Sequence, residues 1–149
     1  MRFTNKTEYG LISLIHMANG GPGERITVKS LAERESYSTP YVEKIFQQLK
    51  NAGIVISHQG NQGGYTLAKG PAEITLKEII EALEGETFDV FCEVEQPTNL
   101  ICNHNEKNPC GSPLCGLKHV WRGTKDLLDR YYGSITLEHI AKTSEGSSA

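Results

Sequence analysis

Four cysteines are the residues of this chain best suited to chemistry, and all of them lie in one short segment. The first 91 residues contain none, and the next 24 contain Cys92, Cys102, Cys110 and Cys115. Thiolates bind both zinc and iron-sulfur clusters, so the residue type alone does not separate these two kinds of site. Structural zinc sites usually offer cysteine pairs about two to four residues apart, whereas the intervals here are nine, seven and four residues. Only the last interval suits a zinc knuckle.

The N-terminus bears on the compartment in which these thiols operate. Its apolar run is short, is interrupted by Ser13 and His16, contains Glu8 and lacks a small-residue cleavage site. This pattern predicts neither a signal peptide nor a membrane span. We therefore expect a cytoplasmic protein, in which clustered cysteines bind metal or do redox chemistry more often than they form structural disulfides.

The elements that must position such a site begin with three helices. Apolar periodicity predicts a helix over 4–18, a second one capped by Thr27 and ending near Glu35, and a third over 40–51. For the third helix, Thr39 is the predicted N-cap and Gly53 the stop signal. Two short helices joined by a three-residue turn, 36–38, indicate a helix-turn-helix.

A glycine-rich hairpin follows directly, as in a wing. The runs IVISHQ and YTLA flank the turn GNQGG, and a helix with Thr75 and Glu78 in capping-box spacing comes next. The motif Ile-Thr recurs at 26–27, 74–75 and 135–136, where each threonine is predicted to cap a helix and the isoleucine before it to pack back as a staple.

The second half of the chain is divided by the cysteine-rich segment. Residues 86–113 show no period, and a narrow apolar stripe then recurs over about four turns, which suits packing against another helix such as that of a second copy. The polar tail from Lys142 predicts disorder. The expected organisation is mainly α with a small β-hairpin: a winged helix-turn-helix domain (1–85), a cysteine-rich loop (86–116), a dimerisation helix (117–132), and a short C-terminal helix with a disordered tail (133–149).

The exposed start of the third helix and the tip of the wing are the candidate DNA contacts. The net charge of -3 excludes an indiscriminate nucleic-acid binder, so any DNA contact must be local. Hydroxyls and helix N-terminal amides hold phosphates, a glutamate accepts from cytosine in the major groove, and amides read the minor groove. The alternative is that these residues are ordinary capping and solvated positions. The candidates are Ser38, Thr39, Tyr41, Glu43, Lys44, Gln59 and Asn61.

The order of these motifs resembles the Rrf-two family of winged-helix transcription regulators, whose cluster-binding members include the IscR, NsrR and RirA types. The marks are MRFTNKTEYGL, STPYVEKIFQQL, GNQGGYTLA, ITLKEIIEALEG, the cysteine-rich loop, a Trp after the last cysteine, and ITLEHIA. The resemblance covers almost the whole chain. It implies a homodimer on palindromic operator DNA, contacted through Ser38, Tyr41 and Glu43, with Gln59 standing where relatives often carry an arginine.

The resemblance also implies an iron-sulfur cluster in the cysteine loop, with 2Fe-2S favoured over 4Fe-4S. In the family the last ligand precedes a Trp, which matches Cys115 and Trp121 and makes Cys110 and Cys102 the other two ligands. In an alternative assignment of the ligands, the alternative register, Cys92 is the first ligand and either Cys102 or Cys110 is not a ligand. A weaker group completes the site in the family, and the residues that match are His104, His119 and, from the partner subunit, Glu8.

Three functions compete at this point. The first is a dimeric repressor, not an enzyme, that senses iron-sulfur status, redox change or nitric oxide through a cluster. The second is a cluster-free regulator of the same fold that responds to a partner protein or a small effector, with zinc or free thiols in the loop. The third is a thiol-redox enzyme, which the absence of a CxxC pair disfavours.

Overall fold

Six helices and a two-stranded antiparallel sheet make up the described part of the chain, which is residues 3–61, 63–88 and 116–146 of a computed structural model. The predicted mainly helical fold with a small β-hairpin is confirmed. A single 3-10 turn lies at Pro71–Glu73. The elements are α1 (Asn5–Asn19), α2 (Val28–Glu35), α3 (Thr39–Asn51), β1 (Val55–His58), β2 (Gly64–Leu67), α4 (Leu76–Glu84), α5 (Gly116–Ser134) and α6 (Leu137–Gly146).

One hydrophobic core lies between α1, α3, α4 and the hairpin. Helix α3 contributes the four-residue apolar face that its periodicity predicts, and Phe46 and Leu49 of that face are fully buried. Leu14 of α1 and Ile79 of α4 close the core from the other sides. Since burial of each large aliphatic side chain contributes about 1.5 to 3 kcal/mol, this shared core holds α3 in a fixed orientation.

The three Ile-Thr motifs cap three helices, as predicted. Thr27 Oγ1 accepts a hydrogen bond from Ser30 N at 3.0 Å at the start of α2. Thr75 and Glu78 form the full capping box of α4, and Thr136 Oγ1 accepts from His139 N at 3.2 Å in the first turn of α6. Each cap of this kind stabilises its helix by about 1 kcal/mol.

The N-cap of α3 is Ser38, so the prediction of Thr39 at that position is wrong. The carbonyl oxygen of Ser38 accepts the first helical hydrogen bonds, from Tyr41 N and Val42 N at 3.1 Å, which makes Thr39 the first helical residue. At the other end, Gly53 has φ +72° and Ile54 N returns to Leu49 O at 2.9 Å, so the predicted glycine stop is confirmed.

Helix α6 continues to Gly146, so the prediction of disorder from Lys142 is wrong as far as that residue. Leu137 and Ala141, one turn apart, are 0% and 4% exposed and anchor the helix against α1 and the core. The exposed pair Lys142 Nζ to Glu138 Oε1 at 3.1 Å adds i,i+4 support. Tertiary packing, which a polar composition does not reveal, stabilises this segment.

Glu84, the last residue of α4, binds the first residues of α1. Its Oε1 accepts hydrogen bonds from Thr4 N at 3.1 Å, Thr4 Oγ1 at 2.5 Å and Thr7 Oγ1 at 2.6 Å. Burial by itself would raise the pKa of Glu84, but these hydrogen bonds and the charge of Lys6 outweigh it and lower the pKa below its ordinary value. The ionised carboxylate therefore stabilises the fold.

Because the pKa of Glu84 is lowered in the folded state, its contribution is present above the unfolded pKa and is lost as pH falls through the folded pKa. We expect Glu84→Gln to lower the free energy of unfolding by about 1 kcal/mol at neutral pH and by less as the pH falls toward about 3. Urea unfolding across this pH range measures the difference. Glu138→Gln, which breaks an exposed pair, is the control. A loss of unfolding free energy in Glu84→Gln that stays constant down to pH 3 would contradict a stabilising role of the ionised Glu84 carboxylate.

Candidate nucleic-acid interface

Helix α3 separates its buried apolar face from a polar face that is open to solvent. Glu43 and Lys44 lie on that open face in the first two turns, and Lys50 continues it at the far end. Because the core fixes the opposite side of the helix, the backbone that carries these side chains is held against the body of the protein. An exposed, polar helix face of this kind can enter a major groove, which is wide enough for an α-helix.

The N-terminal end of α3 places two exposed hydroxyls at the positive end of the helix dipole. Ser38 and Thr39 are exposed, and the side chain of Ser38 makes no capping hydrogen bond. The positive end of the helix dipole favours an anionic group such as a phosphate, to which the two hydroxyls can donate. Both residues are open to solvent at the start of α3, and their contact with phosphate stays a prediction.

Tyr41 has a second role, because its ring packs inward. The ring lies edge-on to Tyr9 of α1, with centroids 5.6 Å apart, and Tyr9 stacks on Tyr37 of the helix-turn-helix turn at 3.8 Å. Burial raises the pKa of Tyr37, and the nearby carboxylates of Glu35 and Glu8 and the Tyr9 side chain add to the shift. This tyrosine cluster joins α1 to the start of α3, a contact that sequence spacing did not predict.

Gln47 is an exposed side chain on the same face that the sequence analysis missed. It lies one turn after Glu43, and its Nε2 donates a hydrogen bond to Asn51 Oδ1 at 2.9 Å. The i, i+4 spacing from Glu43 was the available signal. An amide at this position can read adenine in the major groove.

The wing projects Gln59 and Asn61 at its tip, and both are exposed. Strands β1 and β2 pair in a register that sets His58 opposite Gly64. Gly64 is required by close approach, because a Cβ there would lie 2.8 Å from the carbonyl oxygen of Ile26, with which the hairpin forms a β-bridge. Gln62 lies outside the described residues.

The wing is held to α3 by aromatic packing. The rings of Phe46 and Tyr65 have centroids 4.7 Å apart, and His58 Nε2 lies 2.8 Å from Thr66 Oγ1 across the hairpin. The strands of the wing are therefore packed directly against α3, as in a winged helix.

Only two of the predicted cluster ligands, Glu8 and His119, lie within the described residues. Cys92, Cys102, His104, Cys110 and Cys115 lie outside the described residues. Glu8 is exposed on α1 and His119 is exposed on α5. Across 3–61, 63–88 and 116–146, no three His, Cys, Asp or Glu side chains come together as a metal site.

Helix α5 carries an apolar face that is largely exposed in the described part of the chain, where the ring of Phe88 lies 6.1 Å from that of Trp121. Val120, Trp121, Leu127 and Tyr131 are 55%, 44%, 60% and 60% exposed. Large exposed side chains aligned on one helix mark a protein interaction surface. This surface, the α5 stripe, coincides with the stripe predicted to pack against another helix.

No helix in the described ranges is long and apolar enough to cross a membrane.

Comparison with known proteins places these features in a family. Residues 3–143 match the Rrf2 family model, described as iron-dependent transcriptional regulator. The HTH-type transcriptional regulator NsrR of Bacillus licheniformis is 36% identical over 136 residues, which covers 88% of each chain. NsrR of Bacillus subtilis is 35% identical over 150 residues, covering 97% of this chain and 93% of that protein.

Solved structures agree with the sequence relatives. CymR, the global cysteine regulator of B. subtilis, has a TM-score of 0.71 with 27% identity, covering 96% of this chain and 98% of that chain. IscR of T. potens has a TM-score of 0.70 with 29% identity, covering 100% and 92%. With its winged helix-turn-helix and a family match over almost its whole length, the chain belongs to the Rrf2 family of DNA-binding transcriptional regulators, which are not enzymes.

Proposed function

We propose that this protein is a cytoplasmic, homodimeric repressor that binds palindromic operator DNA and whose operator affinity is set by an iron-sulfur cluster. The observation that carries the proposal is the position of the thiols in the chain. All four cysteines lie between the end of α4 and the start of α5, the helix that bears the exposed α5 stripe. Along the chain, a group bound there would follow the winged helix-turn-helix, the DNA-binding unit, and precede the proposed dimer helix α5.

The α5 stripe supports a homodimer. A two-fold related copy presents the same apolar face, so two stripes can cover each other in an isologous interface. Two α3 helices in one dimer would then read two half-sites about one helical turn apart. Operator palindromy follows from that symmetry.

The DNA contacts divide into positioning and reading residues. Ser38 and Thr39 at the start of α3 hold phosphates, and Lys44 adds a cation on the same face. Glu43 reads a base edge in the major groove, with Tyr41 beside it. Gln59 and Asn61 reach the minor groove from the wing.

The donor set fits an iron-sulfur cluster. Cys102, Cys110 and Cys115 supply thiolates, and the remaining ligand comes from Glu8 of the partner subunit, His104 or His119, with Cys92 as the ligand of the other register. When bound, the group supplies a redox-active and nitric-oxide-reactive iron centre, of the 2Fe-2S type in our proposal. A carboxylate or imidazole ligand exchanges more readily than a thiolate. At this one coordination position, the signal can therefore act on the iron.

The similarity to CymR, a global cysteine regulator, favours a second candidate. This candidate is a regulator of the same fold that responds to a partner protein or a small effector, with zinc or free thiols in segment 86–116. Anaerobic purification, with assays of visible absorption, iron, sulfide and zinc, separates the two. A coloured protein with stoichiometric iron and sulfide, whose affinity for selected operator DNA changes when the cluster is removed, supports the cluster sensor. A colourless zinc protein would overturn it in favour of the second candidate.

Two substitutions on α3 test the division of DNA contacts. We expect Glu43→Ala to weaken operator binding by about 1 to 3 kcal/mol and to relax preference at one base pair of each half-site. Lys44→Ala should weaken binding to all sequences and reduce the slope of log K against log salt by about one per contacted phosphate. Fluorescence anisotropy with base-substituted operators at several salt concentrations measures both effects.

Lys142→Ala, on the exposed side of α6, is the matched control and should leave both quantities unchanged. A Glu43→Ala variant with unaltered base preference would show that Glu43 is a solvated helix residue only.

A further inference from the structure

A group of charged and polar side chains around Asp129 joins three parts of the chain. Asp129 Oδ2 lies 3.5 Å from Nζ of Lys77 on α4 and 3.5 Å from Nζ of Lys125 on α5. Asp129 Oδ1 accepts a hydrogen bond from Thr87 Oγ1, and Lys125 Nζ reaches Glu86 Oε2 at 2.7 Å. We call these five residues the Asp129 cluster. It binds α4, α5 and the first residues after α4 to one another.

The Asp129 cluster differs from an ordinary surface ion pair in its burial. Thr87 is 2% exposed, and the side chain of Asp129 is 21% exposed. Burial by itself would raise the pKa of Asp129, but the Thr87 hydrogen bond and the two lysines outweigh it and lower the pKa. The hydrogen bond to Glu86 raises the pKa of Lys125. Three partners on one carboxylate form a network, which contributes more than an isolated exposed pair.

Helix α5 is attached at a second place near its end. Leu76 N donates to Ile135 O at 2.9 Å, and Leu137 N donates to Ile74 O at 2.8 Å, so the chain after α5 is bridged to the chain before α4. At 1.5 Å rise per residue, Asp129 lies roughly 10 Å from this bridge and the start of α5 roughly 28 Å from it. A small displacement at the Asp129 cluster is therefore enlarged about threefold at the far end of the helix.

We propose that Asp129 is a positioning residue: it sets the direction of α5 relative to the DNA-binding unit, and through Thr87 it passes the state of the cysteine-rich segment to the dimer interface. Thr87 makes this connection, since it lies at the start of that segment and its hydroxyl donates to the carboxylate that also contacts the lysines of α4 and α5. A segment that rearranges shifts Thr87 and with it the network that orients α5. This inference rests on the proposed dimer and cluster.

The test compares Thr87→Val, Thr87→Ser and Asp129→Asn with the wild-type full-length protein. Valine keeps the shape of Thr87 but removes the hydrogen bond, whereas serine keeps the hydroxyl. Glu138→Gln breaks an exposed pair on α6 and is the control. Each protein is assayed for iron content, dimerisation, and affinity for operators whose half-site spacing is changed by one base pair, with and without bound cluster.

We expect Thr87→Val and Asp129→Asn to remain dimeric with wild-type iron content. Their change in operator affinity on cluster removal should fall to about twofold or less, from the about 5- to 150-fold expected of the wild type. In the cluster-free protein, their loss of affinity on altered half-site spacing should also shrink, because α5 no longer holds the two α3 helices at one separation. Thr87→Ser should behave as wild type.

If the Asp129 cluster serves stability alone, the variants should have lower thermal stability. Their change in operator affinity on cluster removal and their preference for one half-site spacing should then equal those of the wild type. This result would overturn the inference. If Asp129→Asn fails to fold, the comparison of Thr87→Val with Thr87→Ser still tests the inference. A wild-type protein that is monomeric, or that has no cluster, contradicts the proposed function instead.

Discussion

Cys110→Ala and Cys115→Ala proteins, purified without oxygen, are expected to lose the visible absorption and nearly all of the iron and sulfide of the wild type. Each substitution removes one of three thiolates, and the weaker remaining groups do not retain a cluster. Both variants should show the operator affinity of the cluster-free wild type, which by typical coupling energies differs from the loaded form about 5- to 150-fold. Absorption spectroscopy, metal analysis and operator titration on the same preparations measure these effects.

The same experiment decides between the two ligand registers. We expect Cys102→Ala to behave like the Cys110 variant and Cys92→Ala to keep the cluster, so that Cys92→Ala is also the control for removal of a thiol as such. A cluster that survives in Cys102→Ala but is lost in Cys92→Ala would show that the first ligand is Cys92.

Leu127→Glu should convert the dimer to a monomer. Leu127 is 60% exposed in one protomer and lies in the α5 stripe, so in the proposed dimer a glutamate there would be buried without a partner. A monomer contacts one half-site, and we expect its affinity for the full operator to fall by about a thousandfold or more. Sedimentation velocity and DNA titration measure the two quantities.

Asp126→Ala is the matched control, because Asp126 is exposed on the same helix but points away from the α5 stripe. It should remain dimeric with wild-type operator affinity, and Leu127→Ala should be intermediate. Circular dichroism establishes that α5 stays helical in each variant. A Leu127→Glu protein that remains dimeric would show that the interface lies elsewhere.

The features that sequence predicted correctly are those with short-range causes. The caps at Thr27, Thr75 and Thr136 are confirmed because the donor and acceptor lie within one turn. The hairpin follows from β-prone runs around a glycine turn, and the stop at Gly53 follows from its positive φ. The family, and with it the DNA-binding role, followed from the order of these local signals along the chain.

The errors arose where a boundary depends on more than local composition. Thr39 was an equally good capping residue, and only the hydrogen bonds that start at the carbonyl of Ser38 identify the cap. The polar composition after Lys142 predicted disorder, but buried Leu137 and Ala141 anchor the helix that contains it. In both cases hydrogen bonds and packing outside the motif determine the outcome.

By itself, then, the sequence determined the winged helix, its exposed α3 face and the apolar α5 stripe, since periodicity and capping act within a few residues. Only the tertiary structure decided that Tyr41 packs on Tyr9 and that Asp129 meets Thr87, 42 residues earlier in the chain. Such contacts leave no periodic signal, because they depend on where separate helices cross. In the proposed function, the first contact joins α1 to the start of α3 and the second couples the cysteine-rich segment to α5.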